Sequence, residues 1–496
     1  MGREWGSVSQ ETEMPCAILE GESRGGETLL PLRFLGMGLW IVWQWATHGN
    51  ATIYFSGYQG MGVSFAICDF TMRVADIVTM VVLALLWRRL TPITSHGRLE
   101  VLACLSVAVG TTGMLLCLNG LILSAVLTIV FSCLAAFGGA VLFLSWAEVY
   151  SRLATERMLF MGVLSLILAG AVSFLLNHLA APLPTVGTVA VPVVSCILCW
   201  LSGRFVAPRP INLGELGIAS LRIAFPWKPV AVMAFAGFTA GFGNFTLFAQ
   251  NANTRMLATF VVGVIVLAVS FAFKGRLRLG HLAGGAFAIA LAGFVLIAAM
   301  GTTNPVPAAF LIMLAYIALC VVGLSLLGRL SFIGLIPSLW LFGLGRAASE
   351  LMMGLGSYAR YVPGMGQMPH DKYALAVLAV VGTVCLILIV LLWRSEDSIA
   401  SNWAVNMVDA RSGRPVESQH DMLARGCEII AVDARLTQRE CEVLQQLVFG
   451  QSYQQICQSL MVSMGTVKTH VRHIYAKLGV HSREEALDAI KARGSH

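Results

Sequence analysis

The sequence predicts an all-α protein with a polytopic helical membrane domain of about twelve transmembrane helices, arranged as six and six, followed by a small four-helix domain. Of its 496 residues, 57% are hydrophobic and only 12% are charged, whereas soluble domains carry about 25% charged residues. Twelve apolar stretches approach or exceed the roughly 20 residues that a membrane-spanning helix needs. Only the C-terminal residues, 433–496, combine a polar composition with helical periodicity.

The predicted membrane domain occupies residues 31–394. Its twelve expected spans are residues 32–54, 62–86, 99–119, 122–147, 157–178, 185–207, 228–250, 256–273, 281–300, 306–327, 332–354 and 373–393.

The distribution of basic residues predicts the orientation of these spans. Every second loop is basic, and these loops hold Arg88, Arg89, Arg98, Arg152, Arg157, Arg204, Arg209, Arg222, Lys228, Lys274, Arg276, Arg278, Arg329 and Arg394. The alternate loops hold only Arg255, Arg360 and Lys372. Because cytoplasmic loops carry the excess of Lys and Arg, we expect a multi-pass protein of the cell membrane with both termini in the cytoplasm.

Two polar segments flank the predicted membrane domain. Residues 1–30 are acidic and lack the basic and apolar regions of a cleavable signal peptide, so they are interpreted as a disordered cytoplasmic tail. Residues 395–432 are polar and contain Gly and Pro. They are interpreted as a flexible cytoplasmic linker that would span roughly 35 Å as a coil.

Helix-capping patterns divide residues 433–496 into four short helices. Thr437 with Glu440 forms a capping box, a pattern that Ser452 with Gln455 and Ser482 with Glu485 repeat. Gly450 and Gly479 are expected to end the first and third helices.

The third helix has one apolar and one polar face. Val467, Val471, Ile474 and Leu478 recur at helical spacing and predict the buried face. Gly465, Thr469, Arg472 and Ala476 fall on the opposite face, with Lys468 on its flank. Small and basic residues on the free face of a helix are suited to the DNA major groove, although a solvated helical bundle would show the same pattern.

Residues 433–492 resemble the LuxR-type (NarL/FixJ-like) helix-turn-helix domain. The family-type positions are Leu436, Thr437, Arg439, Glu440, Val443, Leu444, Gly450, Ile456, Leu460, Val462, Ser463, Thr466, Val467, Lys468, His470, Ile474, Tyr475, Lys477, Leu478, Val480, Arg483 and Ala486. The second helix departs from the family pattern at Tyr453, Gln454, Gln455 and Cys457. The resemblance therefore does not assign DNA-backbone contacts to this helix.

The resemblance implies a set of roles for residues of this domain. Lys468, Thr469 and Arg472 would contact bases of double-stranded DNA, and Thr466 and Lys477 would contact phosphates. The helix after Ser482 would be the interface through which the protein forms a homodimer.

The two sets of six spans resemble the major facilitator superfamily, and that packing would make the second and eleventh spans neighbours. Asp69, Arg73 and Asp76 share one face of the second span, and Arg346 and Glu350 share one face of the eleventh. One hypothesis is a salt-bridge network between the halves that gates a conformational change. The alternative is local pairing within each helix, which allows insertion into the membrane.

Polar and aromatic residues of other spans could line a cavity for an unknown small-molecule ligand. They are Trp40, Trp43, Gln44, Trp45, His48, Glu148, Asn177, His178, Asn244, Gln250 and Asn251. Tryptophans near span ends are more often interfacial anchors. The sequence contains no nucleotide-binding Gly loop, Ser/His/Asp set or metal-spaced His/Cys cluster, so neither an enzyme nor a cofactor is expected.

Taken with the resemblances, the sequence predicts a membrane-embedded, one-component transcription regulator in which the membrane domain senses a signal. The alternative is a transporter that carries an accessory DNA-binding domain. A helical domain that serves only oligomerisation is disfavoured by the basic face around Lys468 and Arg472.

Overall fold

The protein divides into two compact units, one spanning Pro31–Ser418 and the other containing Gln419–His496. The structure is a computed structural model. It describes residues 32–48, 62–153, 155–180, 182–205, 221–223, 227–247, 252–272, 279–300, 306–334, 337–358, 384, 407–409, 415–416, 419–448, 453–460 and 462–494.

The first unit is built from long helices, and eleven of them lie in the ranges just given. They are α1 (Gly36–Thr47), α2 (Gly62–Leu85), α3 (Gly97–Leu118), α4 (Ala125–Ser151), α5 (Thr155–His178), α6 (Leu183–Phe205), α7 (Trp227–Leu247), α8 (Ala252–Ala272), α9 (Leu279–Met300), α10 (Val306–Gly334) and α11 (Ser338–Tyr358). Each corresponds to one of the first eleven predicted spans. The twelfth predicted span, 373–393, lies almost wholly outside the described residues.

Five helical segments of the described chain are long and apolar enough to cross a membrane. They are Gly97–Leu118, Ala125–Ser151, Arg157–His178, Leu183–Arg204 and Val306–Ser331. Many apolar side chains on these helices point outward, including Leu102, Leu105 and Val126, which are more than half exposed. Such a surface is compatible with lipid and unfavourable in water, so the protein is a membrane protein.

Glycines let two helices of this unit approach closely. A Cβ atom at Gly237 or Gly241 of α7 would overlap the carbonyl groups of Ser349 or Met353 in α11. Small residues commonly bring membrane helices together in this way. The approach holds α11 firmly against α7, and α11 also packs against α2.

Three short strands join two segments that the sequence predicts to be loops. They are β1 (Leu221–Ile223), β2 (Met407–Asp409) and β3 (Pro415–Val416), in an antiparallel sheet of order β1-β2-β3 that pairs Arg222 with Val408. Sequence periodicity over two or three residues cannot reveal such strands. The predicted all-α class is confirmed apart from this small sheet.

The second unit is a separate helical bundle. It contains α12 (Gln419–Asp433), α13 (Gln438–Val448), α14 (Tyr453–Leu460), α15 (Met464–Leu478) and α16 (Arg483–Gly494). Its core draws on all five helices, with side chains such as Leu423, Leu444, Ile456, Val467 and Ile490.

The prediction of a flexible linker over 395–432 is wrong for its last part, because residues from Gln419 onward form α12. Leu423, Cys427 and Ile430 are buried at helical spacing in the core of the second unit. Gly426 lies against Ile490 of α16, where a Cβ atom would be 2.9 Å from the Ile490 Cγ2. The four predicted helices therefore pack with a fifth.

Candidate DNA interface and membrane cavity

The first helix of the predicted four begins with the capping box that its sequence indicates. The Glu440 backbone N–H donates to the Thr437 hydroxyl at 3.3 Å, and the Thr437 N–H donates to the Glu440 carboxylate at 2.8 Å. At the start of the last helix, Ser482 accepts from the Glu485 N–H at 3.1 Å. The Glu485 carboxylate in turn accepts from the N–H of His481, one residue before the expected partner. Ser452 and Gly450 lie outside the described residues.

Helix α15 is the predicted recognition helix, and both of its ends are capped. Ser463 accepts a hydrogen bond from the Thr466 N–H at 3.2 Å, and Gly479 ends the helix in the left-handed conformation with a φ of 67°. Val467, Val471 and Ile474 are buried on one side of the helix. Burial of this apolar stripe fixes which face of α15 remains free.

The free face of α15 carries four of the five predicted DNA contacts in an open arrangement. Thr466, Lys468, Thr469 and Arg472 are all exposed. Neither Lys468 nor Arg472 forms an ion pair with another described residue, so both cations are available to a polyanion. Guanidinium and ammonium donors with this freedom can bind base edges or phosphates.

Lys477, the fifth predicted contact, is engaged within the domain. Its ammonium group donates to the Glu440 carboxylate at 2.6 Å and to the Arg435 carbonyl at 3.4 Å. Burial alone would raise the pKa of Glu440, but the hydrogen bonds from Lys477 and Thr437 outweigh it and lower the pKa to about 2. The Lys477–Glu440 pair joins α15 to the start of α13, which is a structural role.

His473 is an exposed residue of α15 that the sequence analysis did not select. It lies four residues after Thr469 and seven after Thr466, so it shares their side of the helix. That spacing was visible in the sequence. The structure adds the exposure of the ring on the same surface as the predicted base contacts.

Helix α16, the predicted dimerisation helix, is partly covered by α12. Ala486 and Ile490 are buried, and Arg493 of α16 forms an ion pair with Asp433 of α12. A dimer would therefore have to use the exposed side of α16, which includes Glu485 and Asp488, or displace α12.

In the membrane unit, the structure brings the charged residues of the second and eleventh predicted spans together. Arg73 of α2 donates to Asp69 at 3.0 Å and to Glu350 of α11 at 3.3 Å. Glu350 also pairs with Arg346 one turn earlier in α11. Local pairing and pairing between the helices thus occur together in one network, and the sequence could not separate these two alternatives.

Asp76 and His48 complete this buried cluster. Asp76 is 4% exposed, and its charge interacts with those of Glu350, Arg346 and Arg73 without forming an ion pair with a described residue. His48, at the end of α1, is 6% exposed and lies within the electrostatic influence of the same network. Buried charges in a membrane are costly and usually mark function.

The charged cluster borders a cavity of about 150 Å³ inside the membrane unit. Of the residues that the sequence suggested as cavity lining, Trp40, Gln44, Trp45 and His48 line it. Trp43 does not, because its indole donates to Thr111 of α3 at 2.9 Å.

Other residues suggested for the cavity lie elsewhere. Glu148 pairs with Arg152 at 2.7 Å and accepts from the Thr94 N–H at 3.0 Å, which holds the loop after α2 against α4. The His178 Nδ1–H donates to the Phe174 carbonyl oxygen at the end of α5, at 2.8 Å. The side chain of Asn244 and residues 250–251 lie outside the described part of the chain.

Comparisons with known proteins identify the class of the C-terminal unit. Residues 434–490 match the family described as bacterial regulatory proteins, luxR family. The HTH-type transcriptional regulator MalT of Yersinia pestis (strain Pestoides F) is 50% identical over 52 residues, as is MalT of Serratia proteamaculans (strain 568). This part of the chain is therefore a LuxR-type helix-turn-helix domain. The aligned segment covers 10% of this chain and 6% of those regulators.

The membrane unit is similar in fold to a solved transporter. The crystal structure of a bacterial homologue of the iron transporter ferroportin, in an outward-facing state, aligns with a TM-score of 0.51 and 16% sequence identity. The alignment covers 74% of this chain and 100% of that one. The chain thus joins a membrane domain with the fold of that protein to a DNA-binding domain, as the sequence predicts. The matched family is one of bacterial regulatory proteins, and the similar fold is that of a transporter homologue.

Proposed function

We propose that this protein is a membrane-embedded, one-component transcription regulator whose membrane domain senses a small molecule and whose LuxR-type domain binds DNA. The observation that carries the proposal is the open basic face of α15. Lys468 and Arg472 are exposed and without ion pairs to described residues, in a chain that also contains membrane-crossing helices. Lys468, Thr469 and Arg472 contact bases, and Thr466 contacts a phosphate.

Both termini lie in the cytoplasm in this proposal, where DNA is accessible. The support is the sequence pattern of basic loops, which places the even-numbered span junctions inside. Residues 395–418 tether the DNA-binding domain to the last predicted span. Lys477 contributes to DNA binding mainly by holding α15 in place through Glu440.

The signal acts by shifting a conformational equilibrium of the membrane domain. Arg73 and Glu350 connect α2 with α11 beside the cavity, so a ligand that binds there can favour one arrangement of these helices. The shift changes the pairing or the freedom of the DNA-binding domains. Homodimerisation on DNA through the exposed side of α16 completes this proposal.

The test is genome-wide DNA occupancy of the full-length, membrane-anchored protein beside a Lys468→Ala/Arg472→Ala double variant. Discrete peaks that disappear in the double variant support the proposal. A matched control is Arg439→Ala, which removes an exposed cation of α13 that is paired with Glu442 at 2.5 Å. Peaks that survive in the double variant, or the absence of peaks under all growth conditions, would contradict it.

A second candidate is a transporter with an accessory regulatory domain. The transporter-like fold and the central cavity favour it. Substrate-dependent uptake by the full-length protein, retained in the Lys468→Ala/Arg472→Ala variant, would support this alternative. Occupancy of DNA together with an absence of uptake would support the regulator.

A further inference from the structure

The cavity of the membrane unit has a predominantly apolar wall. Its lining includes the aromatic rings of Trp40, Phe143 and Phe342, together with the methionines Met158 and Met313. Methionine side chains adapt to irregular shapes, and aromatic rings contribute large apolar areas. This wall fits the body of a small organic molecule.

The charged side chains that line the cavity, Arg73, Arg346 and Glu350, are already held in ion pairs. Glu350 accepts from both Arg73 and Arg346, and Arg73 is also bound by Asp69. An ionic ligand would have to break one of these pairs or enter without a partner, and both outcomes cost free energy in a buried site. The network therefore disfavours an ionic ligand.

The wall also contains neutral polar side chains, among them Gln44 and Ser325. Gln44 is 6% exposed and Ser325 is 3% exposed, and both line the cavity. Within the described part of the chain, the Gln44 carboxamide and the Ser325 hydroxyl have no hydrogen-bond partner. The hydrogen bonds that Gln44 does form use its backbone carbonyl, which accepts from the His48 N–H at 3.0 Å.

Because both side chains line the cavity, a polar group of a ligand can form the hydrogen bonds that water would otherwise supply. The carboxamide of Gln44 both donates and accepts, as does the hydroxyl of Ser325. Their chemistry matches an uncharged group of the same kind, such as an amide or an alcohol.

We propose that the cavity binds an uncharged small molecule with an apolar or aromatic body and an amide or hydroxyl group, recognised by Gln44 and Ser325. Binding of this molecule is the signal of the regulator, and that part of the inference rests on the proposed function. The site itself can be tested without reference to DNA.

The experiment measures binding of four probes of equal size to the full-length protein in lipid nanodiscs by saturation-transfer NMR and equilibrium dialysis. Benzamide is neutral and hydrogen-bonding, benzoate is anionic, benzamidinium is cationic, and cumene is apolar. Empty nanodiscs correct for partition into lipid. Benzamide is expected to bind at least roughly tenfold more tightly than either ion, because the charged side chains that line the cavity are already paired with one another.

Variants connect this preference to the two side chains. Gln44→Leu and Ser325→Ala are each expected to reduce benzamide binding toward the level of cumene, whereas Gln44→Glu should shift the preference toward benzamidinium. Ser173→Ala is the matched control, because Ser173 is buried, has a hydroxyl without a hydrogen-bond partner among the described residues, and does not line the cavity. The Ser173→Ala variant should bind the four probes with the same relative affinities as the unmodified protein.

Preferential binding of benzoate or benzamidinium to the unmodified protein would overturn the inference. So would the absence of binding by every probe, which would mean that water alone satisfies Gln44 and Ser325, or benzamide binding that neither substitution weakens. DNA occupancy measured on the same preparations separates the two proposals. If the unmodified protein binds DNA but does not prefer benzamide, only the proposed ligand class is refuted. If it does not bind DNA, the proposed regulator function is refuted.

Discussion

At the scale of single residues, the basic side chains of α15 have different environments. Lys468 and Arg472 are exposed and form no ion pair with a described residue, whereas Lys477 is bound to Glu440 and to the Arg435 carbonyl. The resemblance to the LuxR family implied a DNA role for all three. The structure distinguishes cations that can bind DNA from a cation that holds α15 against α13.

Lys468→Ala is expected to weaken DNA binding by about 1–3 kcal/mol and to reduce its salt dependence. Thermal unfolding of the C-terminal unit should be unchanged, because Lys468 is exposed and forms no ion pair with a described residue. Electrophoretic mobility shifts at several salt concentrations, with differential scanning fluorimetry on the same samples, measure both effects. If Lys468→Ala also lowered the unfolding temperature, the weaker binding could come from loss of structure, and the assignment of Lys468 to DNA contact would be contradicted.

Glu440 predicts a pH dependence of stability. Its pKa in the folded protein is about 2, below the usual value of about 4.3 for an unfolded chain. The carboxylate therefore stabilises the fold above about pH 4.3, and this contribution is lost as the pH falls toward 2. Glu440→Gln should remove it at neutral pH, on the order of 2 kcal/mol.

Hydrogen exchange of the full-length protein, followed by mass spectrometry on α13 peptides, measures this effect. Exchange should be faster in Glu440→Gln at pH 7. Glu442→Gln is the matched control, because Glu442 is more exposed and its ion pair is with Arg439, across one helical turn. Equal exchange in the two variants would show that burial of Glu440 has no special role.

At the scale of elements, α12 is the main addition to the expected four-helix domain. It packs on α16, Gly426 allows the backbones to approach, and Leu423, Cys427 and Ile430 are buried in the core of the unit. A helix from the predicted linker thus becomes part of the core of the DNA-binding unit. Any movement of this segment would change the surface of α16.

Gly426→Leu is expected to separate α12 from α16. Its side chain would overlap Ile490, and overpacking of this kind typically costs about 1–3 kcal/mol. Amide exchange in α12 and α16 should increase, while the α13–α15 core stays protected. Gly465→Ala is the control, because the nearest atom to its Cβ would be the Ser463 Oγ at 3.8 Å. Unchanged exchange in Gly426→Leu would contradict close packing of α12 on α16.

At the scale of the whole molecule, the membrane unit places a charged network beside a cavity. Glu350 is the shared carboxylate of that network, since both Arg73 and Arg346 bind it. Asp69 pairs with Arg73 four residues later on the same helix. The pair that directly joins α2 to α11 is therefore the one between Arg73 and Glu350.

Glu350→Gln is expected to destabilise the membrane unit by about 3–5 kcal/mol, because two buried guanidinium groups lose their common partner. Asp69→Asn should destabilise the membrane unit less, because Arg73 would still form its ion pair with Glu350. A double-mutant cycle on Arg73 and Glu350 measures the coupling between the two helices. Its two readouts are thermal unfolding in detergent and expression of a target gene whose DNA the protein occupies. Additive effects of the two substitutions would exclude a functional connection across this pair.

The sequence alone determined the elements that depend on local chemistry. Apolar runs predicted the first eleven long helices of the membrane unit, and the Thr437–Glu440 and Ser482–Glu485 capping patterns predicted where α13 and α16 begin. The buried stripe of α15 also followed from its spacing. These features rest on hydrophobic periodicity and on hydrogen bonds between residues close in the chain, so a single sequence contains them.

The tertiary structure decided the contacts between residues far apart in the chain. It joined Arg73 with Glu350, paired Lys477 with Glu440, packed α12 on α16, and enclosed Gln44 and Ser325 in one cavity. Spacing along one helix indicates which residues share a face, but it does not identify the element that the face meets. That choice depends on the packing of the whole unit, where close approach at glycines such as Gly237 and Gly426 selects the partner helix.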